Sequence, residues 1–428
     1  MRRPFLLSAL LYGLLLAGLG TLDGRLLALA IPLGVYLGAA LLLAPGAPRL
    51  RIRRRFGANR VVAGTPVAVQ VEVHNEGPRQ VKVLIEDAVP PRLEVVDGKP
   101  RLLALLPPGE TVKLEYVVRG GRGEYAFQDV RITVSDPLDL LSYQVSLPST
   151  GRLLVLPRTI RLRRVVINPA RTRGRAGSIP ARQGGPGVTF FGVREYRPGD
   201  PLRWINWRAS ARYPRGLIAN EFEQERIADV GLILDARRRT NVRHGDDALF
   251  EHAVQATASL AEALLRDGNR VGLLVYGKSL EWTFPGYGKM QRERILQALA
   301  RAEMGESRVF DRLAYLPIRF FPARSQLVLV SPLCRDDFPA LVRLRALGYT
   351  LLVVSPDPVA FEVAHLGRER EVALAARVVR LERHLLLGRL RRAGVVVVDW
   401  QVDRSLDRVL KIYLKQIPPL LWGVRVGR

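Results

Sequence analysis

The sequence predicts a multidomain chain: two N-terminal transmembrane helices, an immunoglobulin-like antiparallel β-sandwich and a C-terminal doubly wound α/β domain. Three patterns predict it. Residues 4–22 and 26–43 are almost wholly apolar. Short segments of apolar–polar alternation, separated by turn residues, fill about positions 56–150. From position 225 onward, continuous apolar runs alternate with segments of helical period.

The 428 residues leave room for about two or three domains at roughly 150 residues each. Hydrophobic residues at 48% and charged residues at 25% exclude a globally disordered chain. The formal net charge of +26 narrows the partners to nucleic acid, anionic lipid or an acidic protein. Cys334 is the single cysteine, which excludes an intramolecular disulfide and a cysteine-based zinc site and fits a reducing compartment.

The helical hairpin is expected over residues 1–48. Ser8, Tyr12 and Thr21 are the polar side chains of the first run, and Tyr36 is that of the second. At about 1.5 Å per residue, each run crosses most of a hydrocarbon core about 30 Å thick. Asp23-Gly24-Arg25 supplies a tight polar turn, and two antiparallel spans satisfy their backbone polar groups internally. Arg2 and Arg3 precede the first run; Arg49, Arg51, Arg53, Arg54 and Arg55 follow the second. The positive-inside rule therefore places the remaining domains in the cytoplasm. A signal peptide cleaved after Ala28-Leu29-Ala30 fits less well, because the first run is too long and the second continues past Ala30.

The β-sandwich is expected over residues 49–152. Val67, Val69, Val71 and Val73 alternate with Ala68, Gln70, Glu72 and His74, and Val81, Val83, Ile85 and then Leu114, Tyr116, Val118 repeat the period. Asn75-Glu76-Gly77-Pro78 and Pro107-Pro108-Gly109 punctuate the runs. Arg119-Gly120-Gly121-Arg122-Gly123 resembles an RNA-binding element, but a single copy between two strands reads as a hairpin loop. Residues 153–226 begin as a basic linker. Arg158, Arg161, Arg163, Arg164, Arg171, Arg173, Arg175 and Arg182 precede the next acidic residue, Glu195, and repeated Gly and Pro predict irregular structure. Nucleic-acid binding is one reading; a solvated segment near anionic headgroups is favoured, since stacking aromatics are absent until Phe190.

The segment that follows is Arg194-Glu195-Tyr196-Arg197-Pro198-Gly199-Asp200-Pro201-Leu202-Arg203-Trp204-Ile205-Asn206-Trp207-Arg208-Ala209-Ser210-Ala211-Arg212. Pro198-Gly199-Asp200 marks a turn, after which Trp204, Ile205 and Trp207 are expected to pack while Arg203, Asn206 and Arg208 stay polar. Two tryptophans so close mean burial or an interface rather than catalysis. The segment resembles the signature of the DUF58 family, a domain of unknown function, in the pattern R-E-Y-x-x-G-D-x-x-R-x-I-x-W-x-x-x-A-R. Asn206 departs from it where the family carries an acidic residue. Arg122-Gly123-x-Tyr125 and Asp136-Pro137-Leu138-x-Leu140 look like the family's β-domain signatures. The resemblance implies a bacterial inner-membrane protein, a C-terminal domain similar to von Willebrand factor A, and a MoxR-type AAA+ ATPase as partner. Arg194, Tyr196, Gly199, Asp200, Arg203, Trp207 and Arg212 become the candidate binding residues.

The α/β domain is expected over residues 227–418, with a tail at 419–428. Strands are predicted at 230–235, 271–276, 326–331, 350–355 and 395–399, with helices at 246–266, 291–302, 339–347 and 405–415. Runs such as Val395-Val396-Val397-Val398 suit a sheet covered on both faces, whose ligands bind at the carboxyl ends of the strands. In the fold that the resemblance implies, the first strand ends in D-x-S-x-S and binds a divalent cation. Here Asp235 is followed by Arg237 and Arg239 at the serine positions, and Pro332 falls where a later aspartate would stand. Two guanidiniums beside one carboxylate predict a lost cation site, hence no metal and no other cofactor. Two readings remain open: Arg237 and Arg239 bind a phosphate or acidic side chain, or Asp235 pairs with one of them.

No catalytic constellation is expected. His74, His244, His252, His365 and His384 lack metal-ligand spacing, and Gly286-Tyr287-Gly288-Lys289-Met290 lacks the phosphate-loop pattern. The arginine-rich stretch 369–392 reads as an amphipathic helix face. The predicted function is a membrane-anchored, non-enzymatic module that docks an acidic protein, with nucleic-acid binding by the basic surface as the alternative.

Overall fold

The structure is a computed structural model that describes residues 2–42, 44, 48–136, 140–163, 165, 167, 172–245, 247–307, 309–366 and 370–415. The chain divides into two compact units, Met1–Leu156 and Pro157–Arg428.

The first unit opens with helices α1 (Arg2–Thr21) and α2 (Gly24–Leu42), both long and apolar enough to cross a membrane. The Asp23 carboxylate accepts the Arg25 backbone N–H at 2.9 Å and starts the second helix. Strands β1 (Leu50–Phe56), β2 (Arg60–Val62), β3 (Val67–Asn75), β4 (Val81–Asp87), β5 (Leu93–Gly98), β6 (Arg101–Leu106), β7 (Thr111–Gly120), β8 (Gly123–Ser135) and β9 (Ser142–Leu156) then form two sheets. Their orders are β1-β3-β7-β5 and β2-β9-β8-β4-β6. Inward residues of both, among them Val71, Tyr116, Ile85 and Ile132, share one core. Each such buried side chain contributes about 1.5–3 kcal/mol.

Two sequence expectations change here. Strand β7 pairs with β3 and β5, whereas β8 pairs with β4 and β9. The glycines between them therefore carry the chain from one sheet to the other and do not close a hairpin. The side chain of Arg54, one of the flanking charges, is fully buried against Asp87, with Nη2–Oδ1 at 2.5 Å. Tyr116 Oη donates to the same carboxylate at 2.6 Å, so one polar knot ties β1 and β7 to β4 of the facing sheet. Burial, and then Asp87, push the Tyr116 phenol above its ordinary pKa.

The second unit contains β10 (Thr172–Glu195), α3 (Trp207–Ser210), β11 (Ile218–Asp235), β12 (Arg243–His244), β13 (Asp247–Ala248), α4 (Leu249–Arg266), β14 (Arg270–Tyr276), β15 (Leu280–Gly286) and α5 (Gly288–Arg301). It continues with β16 (Gln326–Val330), α6 (Phe338–Ala346), β17 (Thr350–Pro356), α7 (Pro358–Leu366), α8 (Arg370–Arg392), β18 (Val396–Trp400) and α9 (Leu406–Lys415). The main sheet runs β15-β14-β11-β16-β17-β18, and β15 is its antiparallel edge. The other five strands are parallel. From β11 the chain steps first to β14 on one side and later to β16 on the other. This reversal opens a crevice between the carboxyl ends of β11 and β16, the place where such sheets bind ligands.

The expected irregular linker is largely a strand. β10 pairs antiparallel with β11, with register shifts between Gly174 and Ile179, Ala181 and Gly184, and Gly185 and Phe190. Gly and Pro, read from sequence as breakers, are tolerated in an edge strand whose outward N–H groups need no partner. Upstream, the Ile160 N–H donates to Ser259 Oγ at 2.9 Å and the Arg163 N–H to Asp407 Oδ1 at 2.8 Å, so this stretch is docked on α4 and α9. The expected tail at 419–428, and Arg164 and Arg171, lie outside the described residues.

Candidate functional site at the strand crossover and signature hairpin

At the crevice, Asp235 ends β11, Ser331 follows β16, and Asp337 starts the turn into α6; all three are buried, as is Arg237. The Arg237 guanidinium lies between the two carboxylates. Nε donates to Asp235 Oδ1 at 2.9 Å and Nη2 to Asp235 Oδ2 at 2.8 Å. Nη1 and Nη2 reach Asp337 Oδ1 and Oδ2, each at 2.9 Å, and Nη1 also donates to the Asp311 carbonyl at 3.1 Å. Ser331 Oγ donates to Asp235 Oδ2 at 2.5 Å. All five guanidinium N–H groups are thus engaged. Burial alone would favour the neutral form, but Asp235 and Asp337 outweigh it and hold the guanidinium pKa above its ordinary value. Neighbouring Cys334 is pushed up to about 11, first by burial and then by Asp337, so it stays a thiol at neutral pH.

This geometry bears on the two readings left open. Arg237 pairs with Asp235 and has no donor left for a phosphate. Arg239, on the rim, meets Asp311 and Asp336 at 3.3 Å each. Four carboxylates face two guanidiniums, an arrangement that favours the pairing reading over an anion site. Asp337 has no local sequence signal, since it lies 100 residues from Arg237, and Pro332, at the expected aspartate position, contributes its carbonyl to Arg383 and Ser355.

The signature hairpin is a second assembly. Arg194 grips Asp200 with two parallel hydrogen bonds of 2.7 Å. The Arg197 N–H adds a third at 2.9 Å, and Tyr196 Oη donates to the Asp200 carbonyl at 3.2 Å. Arg194 first, then the Arg197 N–H, lower the Asp200 pKa to about 2. Gly199 sits at φ +104°, a conformation that side chains disfavour, which accounts for glycine in the turn. Asn206 caps α3 by accepting the Ala209 N–H at 3.0 Å and donates to Asn220 Oδ1 at 2.8 Å. An acidic residue could accept but not donate there.

Of the expected packing residues, Ile205 is buried and Trp204 half-buried, but Trp207 is 67% exposed. Helix α3 has four residues, so it has no second turn with which to cover the indole. Leu202, five residues before it, is 72% exposed, and Arg203, Arg208 and Arg212 are exposed as well. The structure therefore sorts the candidates in two. Arg194, Tyr196, Gly199 and Asp200 build the turn; Arg203, Trp207 and Arg212 stand out from it.

One further cluster escaped the sequence. His252 Nε2 and His365 Nε2 lie 3.4 and 3.5 Å from the two Asp247 oxygens, and the His244 ring is 4.8 Å from that of His365. The residues come from four elements, β12, β13, α4 and α7, so no local spacing announces them. Among the described residues, no group of three His, Cys, Asp or Glu is placed to hold a metal ion.

Residues 192–370 match the family described as "Protein of unknown function DUF58". The chain is similar to the "Uncharacterized protein YeaD" of Bacillus subtilis (strain 168), 30% identical over 231 residues. That match covers 53% of this chain and 55% of the relative, so the chain spans about half the length of the curated relative it matches. Among solved structures, it is similar to the cupredoxin domain of amoB from Nitrosocaldus yellowstonii, with 12% identity, 25% and 86% of the two chains covered and a TM-score of 0.20. A FixG-related protein from Vibrio parahaemolyticus gives 10% identity, 26% and 98% coverage and a TM-score of 0.18. Likenesses of that size carry no argument about ligand or mechanism.

Proposed function

We propose that this chain, a DUF58 protein by its residues 192–370, is a membrane-anchored, non-enzymatic interaction module that docks an acidic protein. In the reading that the family resemblance implies, the partner is a MoxR-type AAA+ ATPase acting in assembly or maturation of other proteins. One observation carries the proposal: Trp207, 67% exposed, stands with exposed Arg203 and Arg212 on a turn that Arg194 and Asp200 hold rigid. Trp and Arg are the residue types that dominate binding energy at interfaces, and a preformed turn lowers the ordering cost.

The finer architecture belongs to the same reading. The hairpin α1–α2 spans the bacterial inner membrane, and the remaining domains are cytoplasmic. The two-sheet domain is immunoglobulin-like, a reading supported by Tyr125 Oη, which donates to the Gly121 carbonyl four residues upstream at 2.9 Å. The α/β domain is similar to von Willebrand factor A, with its cation position taken by the Arg237 side chain. A crevice filled by the protein's own guanidinium supports binding elsewhere on the surface.

The test uses the full chain in detergent and a purified MoxR-type ATPase from the same cell. Trp207→Ala should weaken binding by about 30-fold, the scale of a hot-spot residue. Arg203→Glu should weaken it too, and rising salt should act in the same direction, since surface charges are screened over about 8–10 Å. Absence of binding, or binding indifferent to both substitutions, overturns the proposal. Salt-dependent retention on DNA in its place would favour the nucleic-acid alternative.

A further inference from the structure

Helix α8 uses one face on its own domain. Ala376, Arg383, Leu387 and Leu390 are buried, and Arg383 clamps the helix to the sheet through Asp399 Oδ1 at 2.7 Å and the Pro332 carbonyl at 2.8 Å. On the opposite face Leu374, Val378, Leu381 and Leu385 are exposed by 63%, 55%, 61% and 53%. A row of four large apolar side chains, each more than half exposed, differs from the scattered single residues of an ordinary surface. Their spacing of four, three and four residues is the heptad period, with Val378 and Leu385 at the a positions and Leu374 and Leu381 at d. Ala376, Arg383 and Leu390 then fall at f, directly behind the seam.

The flanking charges select an occupant. Arg377 takes the g position and Glu382 the following e position. In a parallel pair, g of one helix meets e of the other five residues on, so two-fold symmetry forms the Arg377–Glu382 contact twice. In an antiparallel pair g meets g, so Arg377 would face His384 and lose Glu382; the parallel pair keeps the Arg377–Glu382 contacts and sets His384 against Arg389. Of the two a positions, Val378 is β-branched, and with Leu374 and Leu381 at d it favours two parallel strands; Leu385 at the other a position adds nothing to this preference. We propose that α8 pairs in parallel with α8 of a second copy of this chain, making the protein a two-fold homodimer.

The seam ends at Glu371 and Gly388, the next a and d positions, and is about 17 Å long. An isolated helix so short would be marginal, but α8 is held helical by its own core before it pairs. Glu382 also meets Arg335 within the chain; the side chains are 45% and 69% exposed, and such a surface pair contributes little, which leaves the carboxylate able to reorient.

The experiment uses the full chain in detergent with Cys334→Ser as background. Light scattering should give a dimer. Val378→Cys should form a disulfide-linked homodimer on mild oxidation, whereas Arg380→Cys, off the seam, should not. Arg377→Glu should weaken the dimer by about tenfold or more, and adding Glu382→Arg should restore it, which a merely destabilising substitution would not allow. A monomer at micromolar concentration overturns the proposal. So does a dimer indifferent to the charge swap, or crosslinking of Leu374→Cys to Leu385→Cys chains without Val378→Cys self-crosslinking, the mark of antiparallel pairing. Trp207→Ala should leave the dimer intact, so this proposal and the preceding one fail separately.

Discussion

A guanidinium held between two buried carboxylates behaves as a tethered cation, and removing it exposes what it balances. Arg237→Ala should cost about 3–5 kcal/mol, because Asp235 and Asp337 stay buried without a counter-charge. Thermal unfolding of the full chain in detergent checks this; an unchanged melting temperature contradicts the assigned role. Calorimetric titration of the unaltered protein with Mg²⁺ or Mn²⁺ should show no heat of site binding, since an incoming dication meets the fixed positive charge of Arg237. Stoichiometric binding that disappears in Asp235→Ala would contradict that expectation. Asp200 sets a pH window at the second assembly. Its pKa is lowered from 3.8 to about 2 in the folded state, chiefly by Arg194, so its stabilisation is present above the unfolded value and is lost as pH falls from about 4 towards 2. Acid titration of Asp200→Asn should lack that decline. Asp235, Arg237, Arg194 and Asp200 were all legible from local sequence. Asp337 was not, because only the parallel pairing of β11 with β16 brings it to Arg237.

At the scale of elements, periodicity located the main strands and helices, and tertiary context decided the exceptions. The face of α4 marked by Leu249, Ala253, Ala256, Leu260 and Leu264 is buried as its spacing required. β10 was hidden because its composition describes a loop; only its pairing with β11 makes it a strand. Pattern places Trp207 on a packed face, but a four-residue helix has no far side to bury it. Gly277 shows how closely elements approach at the crevice. A Cβ there would stand 2.4 Å from the Ala236 carbonyl carbon, a backbone atom that cannot swing aside, and the Ala236 N–H donates to the Tyr276 carbonyl at 2.7 Å. Gly277→Ala should therefore destabilise the second unit by about 1–3 kcal/mol, the range for overpacking, and loosen the Asp235–Arg237 turn beside it. A melting temperature equal to that of the parent would show that the two turns can separate freely.

For the whole molecule, the order of helical hairpin, β-rich unit and α/β unit followed from three patterns of hydrophobicity, because each pattern reports how many faces of an element are buried. Charge is harder to read at this scale. The excess of +26 invites a single electrostatic partner, yet Arg54 is locked on Asp87, Arg237 on two carboxylates and Arg383 on Asp399. The arginines that bear on topology are those that flank the apolar helices. Arg2 precedes the first span, Arg49 and Arg51 follow the second, and the turn carries Asp23 against Arg25, nearly cancelling its charge. If the hairpin crosses the membrane, the positive-inside rule puts its turn outside and everything after Arg49 in the cytoplasm. Cysteines at Asp23 and Lys99, both exposed, report the two sides in a Cys334→Ser background. A membrane-impermeant thiol reagent applied to intact cells with a permeable outer layer should label Asp23→Cys and leave Lys99→Cys unlabelled until the membrane is broken. Labelling of Lys99→Cys alone would invert the orientation and remove any cytoplasmic ATPase from reach of Trp207, whatever the affinity measured in detergent.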